Sequence, residues 1–219
     1  MAVALVCGGG GALGGAIVDA FAGRGDEVIA VDQRPPRAPG RPDVIREVVD
    51  LTAPDEVEAL WERLTETPRW LVNAAGGFRP GSVADSEPDE VRFLHELNVA
   101  TAWWSCRAAA RRMDAGAAIV NVAARTALTG GKGSAAYAVA KAGVVRLTQV
   151  LALELEERRV RVNAVLPSLI DTPANRASMS EEAMRKAVPP REIAAAIAFL
   201  CSDAAAAVNG AIVPVYGSA

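Results

Sequence analysis

The sequence predicts a doubly wound α/β domain, with seven parallel strands in one sheet and helices on both faces. Three observations lead there. Seven short runs rich in Val, Ile and Leu alternate with longer segments of helical periodicity. Several of these runs are apolar at consecutive positions, as strands buried on both faces must be. The 219 residues, 51% of them hydrophobic, suffice for one such domain (1–219) with a substantial core, and not for two.

In chain order, "VALVC" (3–7) reads as the first strand, followed by a glycine-rich turn and a helix at about 13–24. "EVIAVD" (27–32) and "VIREVV" (44–49) read as strands, then a helix at about 54–65. "RWLVN" (69–73) precedes a helix at about 88–112, and "AAIVNV" (117–122) precedes one at about 136–158. "VRVNAVLP" (160–167), a helix at about 190–202 and "AIVPVY" (211–216) complete the pattern. The long connections, 33–43, 75–87, 124–134 and 167–189, include the loops that leave the carboxyl ends of strands, where such sheets place their ligand crevice.

Composition excludes several classes. A net charge of −3 without a basic stripe argues against nucleic acid as a partner. Cys7, Cys106 and Cys201 sit in apolar surroundings without metal-ligand spacing, which implies reduced thiols in a cytoplasm and no metal site. The uncharged N-terminal stretch lacks the basic region of a signal peptide, and its glycines weaken an apolar helix. No other run reads as long and charge-free enough to span a membrane.

Two constellations carry chemistry. "CGGGGALGG" lies between the first strand and the first helix, where backbone N–H groups and the helix dipole can hold a pyrophosphate. Gly8 and Gly14 would permit the tight turn and the close approach to phosphate. Asp32 ends the next strand, eighteen residues after Gly14, and an acid there accepts hydrogen bonds from a ribose and repels a 2′-phosphate. NAD(H) is therefore favoured, with NADP(H) possible because Arg34 and Arg37 follow closely. Tyr137 and Lys141, spaced i, i+4, share one helix face. A neighbouring ammonium favours the phenolate, and a phenol so tuned can pass a proton to a substrate oxygen.

These motifs, in this order, resemble the short-chain dehydrogenase/reductase family over nearly the whole chain, and imply its single-domain Rossmann fold. The family's TGxxxGxG turn appears as "CGGGGALG", with Cys7 and Ala12 as departures, and carries Gly8, Gly11, Ala12, Leu13 and Gly14 to the cofactor. Asp50-Leu51 matches its adenine contact, and "NAAG" (73–76) its NNAG, which implies cofactor roles for Asn73, Ala75 and Gly76. Asn98 in "ELNVAT" matches the family's helix asparagine, and Tyr137 and Lys141 its catalytic pair, which also holds the ribose. "NAVLPSLIDTP" carries Pro167, Ile170 and Thr172 to the nicotinamide end. In "GAIVPVYG" (210–217), Tyr216 replaces the family's usual acid.

One family feature is missing. The family's serine lies thirteen residues before the tyrosine, and here that position is Ala124. Loss of a comparable oxyanion donor costs about 3–4 kcal/mol. Three readings compete: Thr126 or Ser134 restores a hydroxyl, the substrate develops no alkoxide (a conjugated imine), or the redox chemistry is lost or diverted. The alanine, "GGGGALG" and "DTPANRASM" also resemble the dihydropteridine-reductase branch, which reduces a quinonoid dihydropterin with NADH. A non-redox dehydratase or cyclase and a nucleotide-sensing binding protein are the rival classes. The 167–189 loop is expected to cover a small-molecule substrate, with Met179 and Met184 as mobile apolar groups and Asn175 and Arg176 in polar reach. His95 has no carboxylate partner placed for it and reads as a surface or interface residue. The 136–158 helix is apolar nearly all round, which with 88–112 predicts a homodimer or homotetramer interface.

Overall fold

Strand order in the computed structural model is β3-β2-β1-β4-β5-β6-β7, all parallel; residues 2–35 and 41–217 are described. The strands are β1 (Val3–Cys7), β2 (Glu27–Asp32), β3 (Val44–Val48), β4 (Trp70–Asn73), β5 (Ala118–Val122), β6 (Arg161–Pro167) and β7 (Ile212–Val215). The predicted doubly wound α/β class is thus observed. Winding reverses between β1 and β4, so the crevice opens at their carboxyl ends.

Alternation along β1 divides the core. Val3, Leu5 and Cys7 face a cluster that includes Leu60, Trp61 and Met113, whereas Ala4 and Val6 face Ile17, Phe21, Ile193 and Ile197. The second layer is built by α1 (Ala12–Gly23) and α9 (Pro190–Leu200). The first is built by α2 (Pro54–Arg63), α4 (Thr101–Arg112) and α6 (Ala135–Glu154).

The structure departs from the expected elements in four places. The single helix read over 88–112 is α3 (Pro88–His95), then a π-helical turn over Glu96–Ala100, then α4. The stretch 124–134 contains a one-turn helix, α5 (Thr126–Thr129). The loop 167–189 holds α7 (Pro173–Ser178) and α8 (Glu181–Met184), each capped by the side chain before it: Thr172 Oγ1 accepts from Asn175 N, and Ser180 Oγ from Ala183 N. Finally, α6 is long and apolar enough, by length and composition, to cross a membrane, contrary to expectation. It lies against the sheet instead, burying Ala140, Lys141, Val144, Thr148 and Leu151, while Val139, Val150 and Leu153 stay exposed on its other side.

Candidate active site

The glycine turn is built by close backbone packing. The N–H groups of Gly8 and Gly9 both donate to the Val31 carbonyl, at 2.7 and 3.0 Å, tying the turn to the end of β2. Gly8 has φ +85°, and a Cβ there would lie 2.5 Å from Ala75 N. A Cβ on Gly14 would lie 2.0 Å from the Gly8 carbonyl oxygen. Only glycine fits either place.

Beside this turn lies a cleft of about 140 Å³, lined by Gly8, Gly11, Asp32, Asp50, Leu51, Ala75 and Gly76 from the sequence prediction. Gln33 and Thr101 also line it and carried no sequence signal. Gly10 N donates to Asp32 Oδ2 at 3.1 Å, which orients the carboxylate and leaves Oδ1 available. Asp50 Oδ1 accepts from Thr52 N and Oγ1, at 2.9 and 2.7 Å. A glycine-built turn with an oriented carboxylate at the cleft's rim fits a dinucleotide. Arg34 is exposed, and Arg37 lies outside the described residues.

Of the cofactor residues predicted between Gly8 and Gly76, four do not line this cleft: Gly14 closes the turn itself, and three others lie elsewhere. Leu13 is packed in the core beside Ile17 and Val18. Ala12 begins α1 and is exposed. Asn73 is buried behind the strand tip, its Nδ2 donating to Asn121 Oδ1 at 2.8 Å. Asn121 in turn donates to Thr148 Oγ1 at 2.9 Å, so Asn73 joins a polar chain that braces β4 to β5 and α6.

The π-helical turn centres on Asn98. Its Nδ2 donates to Gly77 O at 3.0 Å and to Leu94 O at 3.0 Å, and its Oδ1 accepts from Gly77 N at 3.2 Å. The widened turn thus presents a buried amide to the loop after β4 while it also bonds Leu94 O one turn back. Lys141 Nζ donates to Val122 O at 2.9 Å and meets no carboxylate among the described residues. Gly76 brings the two side chains together: a Cβ there would lie 2.7 Å from Asn98 Oδ1 and 3.0 Å from Lys141 Nζ.

Tyr137 is half-buried, its ring edge-on to Phe78 at 5.1 Å between centroids. Burial pushes its phenol up to about 12, and burial pulls the Lys141 ammonium down to about 8. The expected lowering of the phenol by the ammonium is not found, because desolvation outweighs attraction and Lys141 points to a backbone carbonyl.

Tyr137 lines a second cleft, of about 540 Å³, between β5, β6 and the loop carrying α7. The substrate candidates Ala124, Thr126 and Asn175 line it together with Pro167 and Ile170, expected at the nicotinamide end of the cofactor, and with Met179, Phe78 and Leu169. Of the two loop hydroxyls, Ser134 Oγ donates to Gly131 O at 2.9 Å, whereas Thr126 Oγ1 is buried with no partner. Thr172 is engaged in capping α7, with Asn175 Nδ2 donating to Ile170 O at 2.8 Å. Arg176 pairs with both oxygens of Asp171 and does not line the cleft. Arg125 lines it and was missed by sequence reading; a lone arginine in "VNVAARTALT" was its only signal.

Residues 10–217 match the family model described as Enoyl-(Acyl carrier protein) reductase. Among curated relatives, the chain is 33% identical to the 3-oxoacyl-acyl-carrier-protein reductase of Vibrio cholerae, over 98% of this chain and 96% of that protein. It is 34% identical to cis-4-hydroxycyclohexanecarboxylate dehydrogenase of Sinomonas cyclohexanicum, over 98% and 95%. An uncharacterized short-chain type dehydrogenase/reductase of Sinorhizobium fredii is 34% identical over 98% of this chain; the chain spans 43% of that longer protein. Ligand-free aldohexose dehydrogenase of Thermoplasma acidophilum superposes with a TM-score of 0.87 at 27% identity, covering 98% of this chain and 92% of that one.

Proposed function

The chain belongs to the short-chain dehydrogenases/reductases, a family of NAD(P)-dependent oxidoreductases, and from that premise we propose that it reduces a small carbonyl compound with Tyr137 as the proton donor. The observation that carries this reading is the placement of Tyr137 in the 540 Å³ cleft while Lys141 lies buried on the same helix. A dinucleotide held by Gly8, Gly11, Asp32, Asp50 and Gly76 would supply the hydride to the carbonyl carbon. The Tyr137 phenol gives its proton to the carbonyl oxygen, so that an alcohol forms and a phenolate remains. Lys141 stabilises that phenolate and holds the ribose, and Asn98, clamped to Gly77, positions the group that returns a proton from solvent.

Thr126 takes the place of the absent serine. Its unpartnered hydroxyl, in the same loop as Ala124, is the donor that the developing alkoxide lacks. Asp32 gives NADH the preference, because its carboxylate would repel a 2′-phosphate. Asp32→Ser should raise the ratio of NADPH to NADH efficiency by about 10- to 100-fold, a charged hydrogen bond being at stake; an unchanged ratio would remove Asp32 from coenzyme choice. The loop 167–189 covers the substrate. The assembly is a homodimer or homotetramer through α3, α4 and α6.

A second reading, reduction of a quinonoid dihydropterin, draws on Ala124, since such a substrate develops no alkoxide, and on the resemblance of "GGGGALG" and "DTPANRASM". NADH consumption with that compound and with small ketones, against enzyme-free blanks, separates the two. For either, Tyr137→Phe should lower turnover by at least about 100-fold with NADH binding unchanged. Turnover that survived this change would end the proton-donor assignment.

A further inference from the structure

The catalytic cleft is built mostly from uncharged groups: Phe78, Ala123, Ala124, Pro167, Leu169 and Ile170 give it an apolar wall. Among its lining residues one side chain is charged, Arg125, and among the described residues it pairs with no carboxylate. Its position is fixed from both ends. The backbone N–H donates to Pro167 O at 2.9 Å, and the Arg125 carbonyl accepts from Leu128 N at 3.1 Å, opening α5. The guanidinium lies 5.2 Å from the centroid of the Tyr216 ring. Tyr216 is itself half-buried against the core cluster that includes Val144, Ala164 and Leu166, so it offers a steady aromatic shelf rather than a mobile one. A guanidinium stacked on a ring keeps its N–H edge free, and that edge matches the two oxygens of a carboxylate.

We infer that Arg125 selects an anionic substrate, a small oxo acid whose carboxylate meets the guanidinium while its carbonyl meets Tyr137. This rests on the reading of the cleft as the substrate site and names the substrate class for it. Tyr216 is a positioning residue that holds Arg125 in place. The apolar wall excludes water from the carbon chain between the two ends, while Arg125 itself is exposed and meets the carboxylate at the solvent side of the cleft. An arginine that is merely solvated would show no preference between an acid and its amide.

The test is isothermal titration of 4-oxopentanoate and, separately, 4-oxopentanamide into the full chain saturated with NAD+, which cannot reduce either, at constant ionic strength. The acid should bind about 10- to 100-fold more tightly than the amide, the range for a charge-assisted pair. Arg125→Gln should abolish that preference, and Arg125→Lys should keep part of it, because a point charge lacks the planar fork. Unchanged NAD+ affinity in both variants establishes that they are folded. Equal binding of acid and amide, binding of neither, or a preference that survives Arg125→Gln would each overturn the assignment. The reductase reading stands or falls separately: NADH oxidation with the neutral oxo amide, lost in Tyr137→Phe, upholds it whatever the acid does.

Discussion

Burying Tyr137 and Lys141 disfavours the charge of both, and the two pay in opposite directions along the pH scale. With its phenol near 12, Tyr137 is protonated throughout the physiological range, which suits a donor in the reductive direction. Lys141, near 8, is still mainly cationic at pH 7 and loses its charge just above. Reductive kcat/KM should therefore be level from about pH 6 to 7.5 and fall above about 8, where the phenolate loses its cation; a profile falling toward acid pH would contradict this. The same shift acts on stability. The folded chain releases the Lys141 proton near pH 8, whereas the unfolded chain keeps it to the ordinary value of 10.5, so Lys141 is a cost below pH 8 that is relieved as pH rises to 10.5. That cost is about 3 kcal/mol, and the bond to Val122 O offsets about 1 of it. Lys141→Met should thus stabilise the protein by roughly 2 kcal/mol at pH 7 in urea melts, with the gain shrinking between pH 8 and 10.5. A destabilised variant would mean that the ammonium is well solvated. The identity of this pair was legible from spacing i, i+4 on a bland helix, but its proton affinities were not, because desolvation is set by the β5 and β6 residues that close over α6.

At the scale of elements, the glycine turn, the sheet and the acid at the end of β2 follow from local pattern, and the element bounds agree to within a few residues. The π-helical turn was not legible. "HELNVATAWW" has the composition of an ordinary helix, and what opens it is tertiary: Asn98 exchanges hydrogen bonds with the Gly77 backbone. The caps of α7 and α8 were written in the chain as Thr172-Pro173 and Ser180-Glu181, and a loop reading passed over them. Arg125 gave only the signal of a lone arginine in an apolar stretch, since folding alone reveals that no carboxylate among the described residues pairs with it. The meeting of three elements at Gly76 yields a sharp test. Gly76→Ala places a methyl 2.7 Å from Asn98 Oδ1 and 3.0 Å from Lys141 Nζ, so these two side chains must shift. Misplacement by about 1 Å can cost on the order of 100-fold, so kcat should fall by that order. Stability should drop by only about 1–3 kcal/mol, as for other overpacked sites. Wild-type kcat in this variant would show that Asn98 and Lys141 tolerate displacement and would weaken the proposed relay.

The whole molecule carries one apolar face that its own fold leaves uncovered. Along α4 and α6 runs a groove of about 760 Å³ that includes Trp103, Leu147 and Val150, and a second of about 470 Å³ holds Val91, His95 and Val139. Val99 and Gly143 border both, so the two form a continuous strip. Trp103 is 50% exposed and Leu153 73%, on the two helices from which the sequence predicts a subunit interface. The sequence reading was thus right about the apolar pattern and could not say that the monomer covers only one side. A second copy applying the same strip across a twofold axis is the simplest cover, as isologous contacts are self-complementary. A stable contact of this kind needs about 1,200 Å² or more of total buried surface, and two long helix faces can supply it. Trp103→Glu with Val150→Glu would place charge within that strip, and sedimentation should then report a monomer where the parent protein is a dimer or larger. The thermal midpoint of the parent should rise with protein concentration, while that of the variant should not. Because α6 carries Tyr137 and Lys141 on its opposite side, the monomer should also lose activity in step with association. A variant that stays associated would move the interface elsewhere, and one that is monomeric yet fully active would show that α6 holds its catalytic face without a partner.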